Sequence, residues 1–176
     1  MFLLFILVYS FVTHSSAQPG EQTREAFLNR NSNLLERGGV WEAVNPEYDS
    51  TQEWSATHYG YKFEKGYHEN FLKLKINGLV KGKRYLYWEG YYFWNPAKKR
   101  AEYFSIGTGG AYAMGEVING NHDLQFRIIT PEGVESLHLD KETIISPDEF
   151  HSLSYKQENG TWKEQNKLIW KRVTEK

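Results

Sequence analysis

Residues 68–78, HENFLKLKING, carry the alternation that decides the fold. Apolar side chains occupy every second position at its centre, and lysines lie between them: Leu72, Lys73, Leu74, Lys75 and Ile76. In an extended chain such residues point to opposite faces of a sheet, so one face is buried and the other is solvated. The pair Asn77-Gly78 supplies the positive φ angles of a tight hairpin turn. We therefore predict a half-buried strand over 68–77 that ends in a hairpin.

A similar strand-and-turn pattern continues from Val40 towards the C-terminus. Short aromatic and β-branched runs alternate with turn residues, which is typical of an antiparallel all-β domain. The other predicted strands are 40–44, 54–63, 79–94 (two strands, or one with a bulge), 100–108, 111–118, 122–130, 134–145, 149–157 and 161–172. The predicted turns include Asn95-Pro96, Gly109-Gly110, Asn119-Gly120, Pro131-Glu132-Gly133, Pro147-Asp148 and Asn159-Gly160. No connection is long enough for a helical crossover, so we expect a meander of eight to ten strands that closes into a barrel and removes exposed edges.

The first residues of the chain have the composition of a targeting segment. The apolar run FLLFILVYSFV over 2–12 is too short to span a bilayer, and Ser15-Ser16-Ala17 fits a signal-peptidase site. We therefore predict that residues 1–17 are a signal peptide, cleaved after Ala17, and that the protein is secreted or periplasmic. The alternative is a membrane-tethering segment. No later segment approaches the length of a membrane span, so we expect none in the mature chain.

One helix is predicted between this segment and the barrel, over residues 21–37. Its apolar side chains share one stripe: Phe27, Leu28, Leu34 and Leu35. Gly38-Gly39 ends the helix, because glycine adopts the left-handed conformation of a C-cap. The predicted organisation is thus a signal peptide over 1–17, a helical segment over 18–39 and one barrel domain over 40–176.

The composition excludes several classes of protein. A chain of 176 residues normally forms one domain. Its 21 Lys and Arg against 22 Asp and Glu give a net charge of -1, which argues against nucleic-acid binding through a basic face. The sequence has no cysteine, which excludes disulfides, thiolate metal sites and a cysteine nucleophile.

Motifs at both ends of the predicted barrel resemble the calycin superfamily. A Gly-x-Trp, Gly39-Val40-Trp41, begins the first strand, and the last strand carries Gly160-Thr161-Trp162, Leu168, Trp170 and Arg172. Residues 38–172 more closely resemble exported lipocalin-like domains of unknown function, with an aromatic hairpin running from Tyr91 into Asn95-Pro96, followed by the hairpins Glu132-Gly133 and Asn159-Gly160. The resemblance implies a lipocalin-like barrel in which the Trp41 ring covers one end. It also implies that Arg172, or alternatively Lys171, stacks on that ring.

The most aromatic segment is 85–94, YLYWEGYYFW, in which seven of ten residues carry rings. It predicts a ring-lined pocket for a flat or apolar ligand; the alternatives are cross-strand packing and an exposed platform for sugar. Parity separates Trp88 and Tyr92 from Tyr87 but does not say which set faces inward. The predicted ligand-binding residues therefore come from both sets and from neighbouring strands: Trp54, His68, Leu72, Leu74, Tyr87, Trp88, Tyr92, Phe104, Met114 and Phe126.

Candidate catalytic and metal-binding residues form no recognisable motif. Glu89 would be a general acid if it were buried among the rings, but it would be an ordinary surface carboxylate on the solvent face. The five histidines outside the signal segment show no metal-ligand spacing: His58, His68, His122, His138 and His151. We therefore predict no metal and no cofactor, with a haem-ligating histidine as the open alternative. His138 is expected to point away from the interior, because Leu137 and Leu139 lie on the opposite face.

Together these features predict an exported lipocalin-like barrel that binds a small apolar or aromatic molecule in its interior. Binding would come from burial of apolar ligand surface, at about 25 cal/mol per Å². The alternative is a calycin-like enzyme of the isomerase, cyclase or hydratase type, with His68 or His122 as base and Glu89 or a tyrosine as acid. A third possibility is an interaction protein of the cell envelope that uses exposed aromatic side chains. The sequence predicts neither the ligand's identity nor the oligomeric state.

Overall fold

The computed structural model describes residues 22–118 and 123–174. In this part of the chain one α-helix, one 3₁₀ turn and ten strands are present: α1 (Arg24–Leu35), the 3₁₀ turn (Glu36–Gly38), β1 (Val40–Val44), β2 (His58–Lys65), β3 (Phe71–Val80), β4 (Lys83–Asn95), β5 (Arg100–Gly107), β6 (Tyr112–Ile118), β7 (Asp123–Ile129), β8 (Glu135–Ser146), β9 (Glu149–Glu158) and β10 (Thr161–Arg172). Each strand pairs antiparallel with the next, and β1 pairs with β10. The predicted closed antiparallel barrel with one N-terminal helix is confirmed.

The hairpin predicted at Asn77-Gly78 is wrong. β3 continues through this pair, and the chain turns at Lys81-Gly82, where the φ angles are 48° and 77°. Glycine is nevertheless required at position 78, because a Cβ there would overlap the ring of Tyr87. Asn-Gly here marks a close side-chain approach inside a strand rather than a turn.

The aromatic strand β4 contains a bulge at Tyr87. Ile76 pairs with Trp88, whereas the next residue of β3, Asn77, pairs with Leu86. The extra residue reverses which parity faces the interior. Trp88 on one side of the bulge and Tyr87 at the bulge therefore both point into the barrel, although they are adjacent in sequence.

Helix α1 closes one end of the barrel. The helix begins after Thr23, whose hydroxyl accepts a hydrogen bond from the Ala26 amide in a normal N-cap. Phe27 and Leu34 are buried against the strand ends, and the Trp41 indole donates to the Leu34 carbonyl at 3.2 Å. The apolar stripe seen in the sequence is therefore the surface that plugs the barrel.

Arg172 holds this closed end together. Its guanidinium carbon lies 4.1 Å from the centroid of the Trp41 ring, and its nitrogens donate to the carbonyls of Asn33 and Glu36 at the end of α1. The same side chain donates to the Pro147 carbonyl in the β8–β9 turn and pairs with Asp148 at 3.0 Å. Only 3% of the Arg172 side chain is exposed, whereas Lys171 is exposed. Arg172 is thus the cation on the tryptophan.

A stack of rings separates the closed end from the rest of the interior. Trp41 meets Phe150 edge-on at 5.0 Å, and Phe150 stacks on Trp170 at 5.8 Å. Trp170 in turn stacks on Tyr61 with ring centroids 4.0 Å apart. Tyr61 is the last ring of this stack and faces the open half of the barrel.

Several expectations concern residues outside the described part of the chain. These are the signal peptide over 1–17, the Asn119-Gly120 turn and the candidate base His122. Within residues 22–118 and 123–174, no helix has the length and apolar character needed to cross a membrane.

Candidate functional site

A cavity of about 390 Å³ lies inside the barrel, on the far side of Tyr61 from the helix. One side, which we call the ring wall, is formed by Trp88, Tyr92, Tyr103 and Phe126, with Leu74 and Ile76 beside them. The other side, which we call the polar wall, is formed by His138, Asp140, Ser154, Gln165 and Asn166. Gln165 is exposed, so the cavity reaches solvent beside it. The site is therefore a hollow with one aromatic and one polar side.

The hollow exists because β6 contributes only small side chains beside it, and its larger inward residue, Val117, lies in the buried core outside the cavity lining. Ala113 and Gly115 occupy the inward positions of β6 beside the hollow, and a Cβ at Gly115 would overlap Phe126. Across this thin strand the rings of Tyr103 and Phe126 approach to 5.9 Å between centroids. No large residue of β6 fills the centre of the barrel, so space remains for a ligand.

The rings form a continuous band around part of the cavity. Tyr92 contacts Tyr103 at 4.9 Å, and Phe126 stacks on His138 at 5.3 Å. The Tyr103 hydroxyl donates to Ser105 Oγ at 2.8 Å. Burial raises the pKa of Tyr103 to about 12 and raises the pKa of Tyr61 and Tyr92 well above the usual value. These phenols are therefore neutral and contribute rings and hydroxyl groups, not charge.

The polar wall arises because β8 turns its polar face inward. His138 and Asp140 line the cavity, whereas Leu137 lies on the outside of the barrel near Phe104 and Met114. The expectation that His138 points away from the interior is corrected. Leu137 lines an apolar groove on the outer surface, and Leu139 faces outward with it by strand alternation, so the usual rule that apolar residues point inward fails for this strand.

Two titratable groups of the polar wall have perturbed pKa values. Burial raises the pKa of Asp140 to about 6; a hydrogen bond from Ser154 opposes this shift, and the nearby Glu142 adds to it. Burial lowers the pKa of His138, and Lys156 lowers it further. The His138 Nε2 lies 2.8 Å from the Ser136 hydroxyl. At neutral pH the cavity therefore holds a neutral imidazole and a carboxylate that is close to its titration range.

A separate, compensated charge pair lies between the cavity and the helix. Arg30 of α1 pairs with Glu142 of β8 at 2.8 Å, and both side chains are buried. The Arg30 guanidinium carbon lies 4.9 Å from the centroid of the Tyr92 ring. Burial opposes the charge of Arg30, but Glu142 and Tyr92 outweigh that effect and raise its pKa. Arg30 Nη2 is thus paired with Glu142, whereas its Nε and Nη1 atoms are buried without a hydrogen-bond partner among the described residues.

No protein-family model matches this sequence, and a search of curated proteins finds no match. The chemistry of the cavity must therefore be inferred from its own residues.

Six of the residues predicted to bind ligand lie inside the barrel. Leu74, Trp88, Tyr92 and Phe126 line the cavity. Leu72 is fully buried in the core and does not line it, and Tyr87 fills the space beside Gly78. Binding by any of these residues stays a prediction.

The structure places the other four outside the cavity, and this corrects their expected positions. Trp54 lies in the connection between β1 and β2, is 63% exposed and contacts Tyr85 edge-on. His68 is exposed in the turn between β2 and β3. Phe104 and Met114 pair across β5 and β6 on the outer face, because the inward positions beside them belong to Tyr103 and Ala113.

His68 and Glu89, one of the base–acid pairs proposed from the sequence, both lie outside the cavity. Glu89 lies on the outer face and pairs with Lys73 at 3.0 Å, and His68 lies in its turn far from the cavity lining. His122 lies outside the described residues. In residues 22–118 and 123–174 no cluster of three His, Asp or Glu side chains could hold a metal ion. Besides the tyrosines, the titratable residues that line the cavity are His138 and Asp140.

Proposed function

We propose that this protein is an exported, lipocalin-like barrel of the calycin kind that holds one small apolar or aromatic molecule in its interior. The observation that carries this proposal is the ring-walled cavity of about 390 Å³. Pockets for small molecules occupy about 300–1,000 Å³ and combine apolar walls with a few polar groups. Export rests on the composition of residues 1–17.

Three features support the calycin assignment. The ten strands form a closed meander, a helix precedes β1, and Arg172 stacks on Trp41 at the closed end. The arrangement leaves one end sealed and the other available for entry. A molecule that enters would lie against Trp88, Tyr92 and Tyr103, where each Å² of apolar surface removed from water contributes about 25 cal/mol.

A filled-cavity variant tests this function. Ala113 is buried on the inner face of β6, so Ala113→Phe places a ring in the hollow, whereas Met114→Phe places the same ring on the outer face. We expect the fluorescent probe N-phenyl-1-naphthylamine to bind the natural chain and Met114→Phe equally, and to bind Ala113→Phe at least tenfold more weakly. Absence of probe binding, or equal binding by all three proteins, would reject the proposal. Native mass spectrometry of the protein from its own host then gives the mass of the natural ligand.

A second candidate function is supported by the polar wall. His138 and Asp140 lie two residues apart on the same face of β8, with about 7 Å between their Cα atoms. Burial lowers the pKa of His138 and raises the pKa of Asp140 to about 6. Such a pair can transfer protons to and from a bound substrate. The enzyme alternative therefore uses Asp140 as base and His138 as its partner, in place of His68 and Glu89.

A small aromatic substrate that reports proton removal tests this alternative. 5-Nitrobenzisoxazole loses a proton from carbon to a base, its N–O bond breaks, and a coloured phenolate forms. If Asp140 is a competent base, the rate should rise with pH through about 6 and should fall to the buffer rate in Asp140→Asn. A rate that is the same in the natural chain and in Asp140→Asn would leave binding as the function.

A further inference from the structure

In the described part of the chain, the polar wall contains one hydrogen-bond acceptor that lacks a donor, next to a carboxylate that lacks a cation. Asp140 on β8 pairs with Ser154 on β9, and Ser154 pairs with Asn166 on β10, so the three side chains lie in one row across the wall. The Oδ1 atom of Asn166 is buried and has no hydrogen-bond partner. Buried polar atoms are normally paired, so an unpaired one in a cavity wall indicates a group supplied from outside the chain.

The charge in this row is also uncompensated. Among the described residues, no basic side chain forms an ion pair with Asp140, and the charged group that influences it is another carboxylate, Glu142. Arg30 is occupied by Glu142 on the side of the helix. Towards the open end, His138, Lys156 and Lys163 form the next row, and Lys156 acts on His138. The phenols of Tyr61, Tyr92 and Tyr103 face the same space as neutral groups.

Trp88 and Tyr92 of the ring wall lie across the barrel from this row, whereas Phe126 lies beside it and stacks on His138. In the closed order of ten strands, β9 lies five strands from β4, so Ser154 faces the side that carries Trp88 and Tyr92. Aromatic faces attract cations as well as apolar groups. A ligand that spans the cavity therefore contacts the rings of Trp88 and Tyr92 on one side and the side chains of Asp140 and Asn166 on the other.

We propose that the ligand of this cavity is an organic cation: its apolar or aromatic body lies against the ring wall, and its ammonium group donates hydrogen bonds to Asp140 and Asn166. The inference rests on the proposed binding function and specifies its ligand class. A neutral ligand leaves the charge of Asp140 without a cation, and an anionic ligand is repelled by Asp140. An ammonium group supplies both the charge and the N–H donors that the wall lacks.

Three indoles of similar shape but different charge test whether the cavity prefers a cation. Tryptamine carries an ammonium group, 3-ethylindole is neutral, and indole-3-propionate is anionic, so isothermal titration at pH 7.5 compares them on the same protein. We expect tryptamine to bind at least tenfold more tightly than 3-ethylindole, and indole-3-propionate to bind most weakly. In Asp140→Asn the preference for tryptamine should fall at least tenfold, while 3-ethylindole binding changes less than threefold. Glu164→Gln, an exposed carboxylate on β10, is the matched control and should leave all three affinities unchanged.

Titration against pH gives an independent readout. Tryptamine affinity should fall as the pH drops through about 6, because Asp140 becomes neutral. In Asp140→Asn only the weaker dependence caused by His138 should remain. Equal binding of tryptamine and 3-ethylindole, or a preference that survives Asp140→Asn, would overturn the cation inference and leave the proposed binding function intact. If neither these indoles nor N-phenyl-1-naphthylamine binds, both proposals are rejected.

Discussion

Arg172 at the closed end of the barrel and Asp140 in the cavity are both buried charged side chains, but within the described part of the chain only Arg172 has an ion-pair partner. At the closed end, the Arg172 guanidinium has carbonyl, carboxylate and ring partners, and the Trp170 indole donates to Ser152 Oγ at 2.9 Å. In the cavity, Asp140 has no cation among the described residues and Asn166 Oδ1 has no donor. Satisfied polar groups stabilise a fold, whereas unsatisfied ones cost stability and persist where they serve a ligand. The difference separates the part that holds the barrel shut from the part that we expect to bind.

The largest effect should come from removing the central ring of the closed end. Trp170 is 1% exposed and lies between Tyr61 and Phe150, so Trp170→Ala leaves a large void and an unpaired Ser152. We expect the free energy of unfolding to fall by about 3–5 kcal/mol, measured by urea denaturation. The control is Trp162→Ala on the same strand, where the ring is half-buried, and we expect a loss of about 1 kcal/mol. Similar losses in the two variants would contradict the role of the ring stack.

The next largest loss of stability should come from replacing Arg172, the cation that stacks on Trp41. Arg172→Lys keeps the charge but removes the planar fork that reaches the Asn33, Glu36 and Pro147 carbonyls together. We expect a loss of about 1.5–3 kcal/mol in thermal or urea unfolding. Arg127→Lys, at an exposed site, should change stability by less than about 0.5 kcal/mol. A tolerated Arg172→Lys would show that a point charge is sufficient and that the stacked geometry is incidental.

A smaller effect, of opposite sign, is expected in the cavity. The folded state raises the pKa of Asp140 from 3.8 to about 6, so the stability associated with its neutral form is complete below pH 4 and is lost as the pH rises through 6. Asp140→Asn avoids that loss and should be more stable than the natural chain at pH 7 by about 1 kcal/mol, with the difference vanishing near pH 4.

Asp148 provides the matched comparison for this prediction. It pairs with Arg37 and Arg172 at the closed end, so Asp148→Asn should destabilise the protein at pH 7. Urea unfolding of the three proteins at both pH values measures the effect. A destabilised Asp140→Asn would mean that Asp140 has a structural partner, and the contrast between the two regions would be lost.

Much of the closed end could be predicted from sequence, because its signals are local. The strand bounds follow from alternation and turn residues, and Trp41 and Arg172 lie at fixed places in the first and last strands. The cavity was harder for two physical reasons. The bulge at Tyr87 reverses parity within one strand, and β8 directs its leucines outward, so no single rule assigns inner faces. One sequence signal could have indicated the polar wall. Polar residues occupy alternate positions of two neighbouring strands, His138 and Asp140 on β8 and Ser152 and Ser154 on β9.

The smallest expected effect distinguishes the cavity from an apolar groove on the outer face. Phe71, Phe93, Phe104, Met114 and Leu137 line this outer groove, which would be the docking surface of an envelope interaction protein. Phe104→Ser removes an outer ring that is already 37% exposed, so we expect N-phenyl-1-naphthylamine affinity within twofold of the natural chain and a stability change of about 1 kcal/mol or less. Trp88→Ser removes a ring that lines the cavity and not the outer groove, and it should weaken the probe at least fivefold. Fluorescence titration of both variants compares the two faces, with a ring replaced by serine on each. If Phe104→Ser weakened the probe more than Trp88→Ser, the apolar ligand would bind outside the barrel, and the unpaired Asn166 Oδ1 inside would need another explanation.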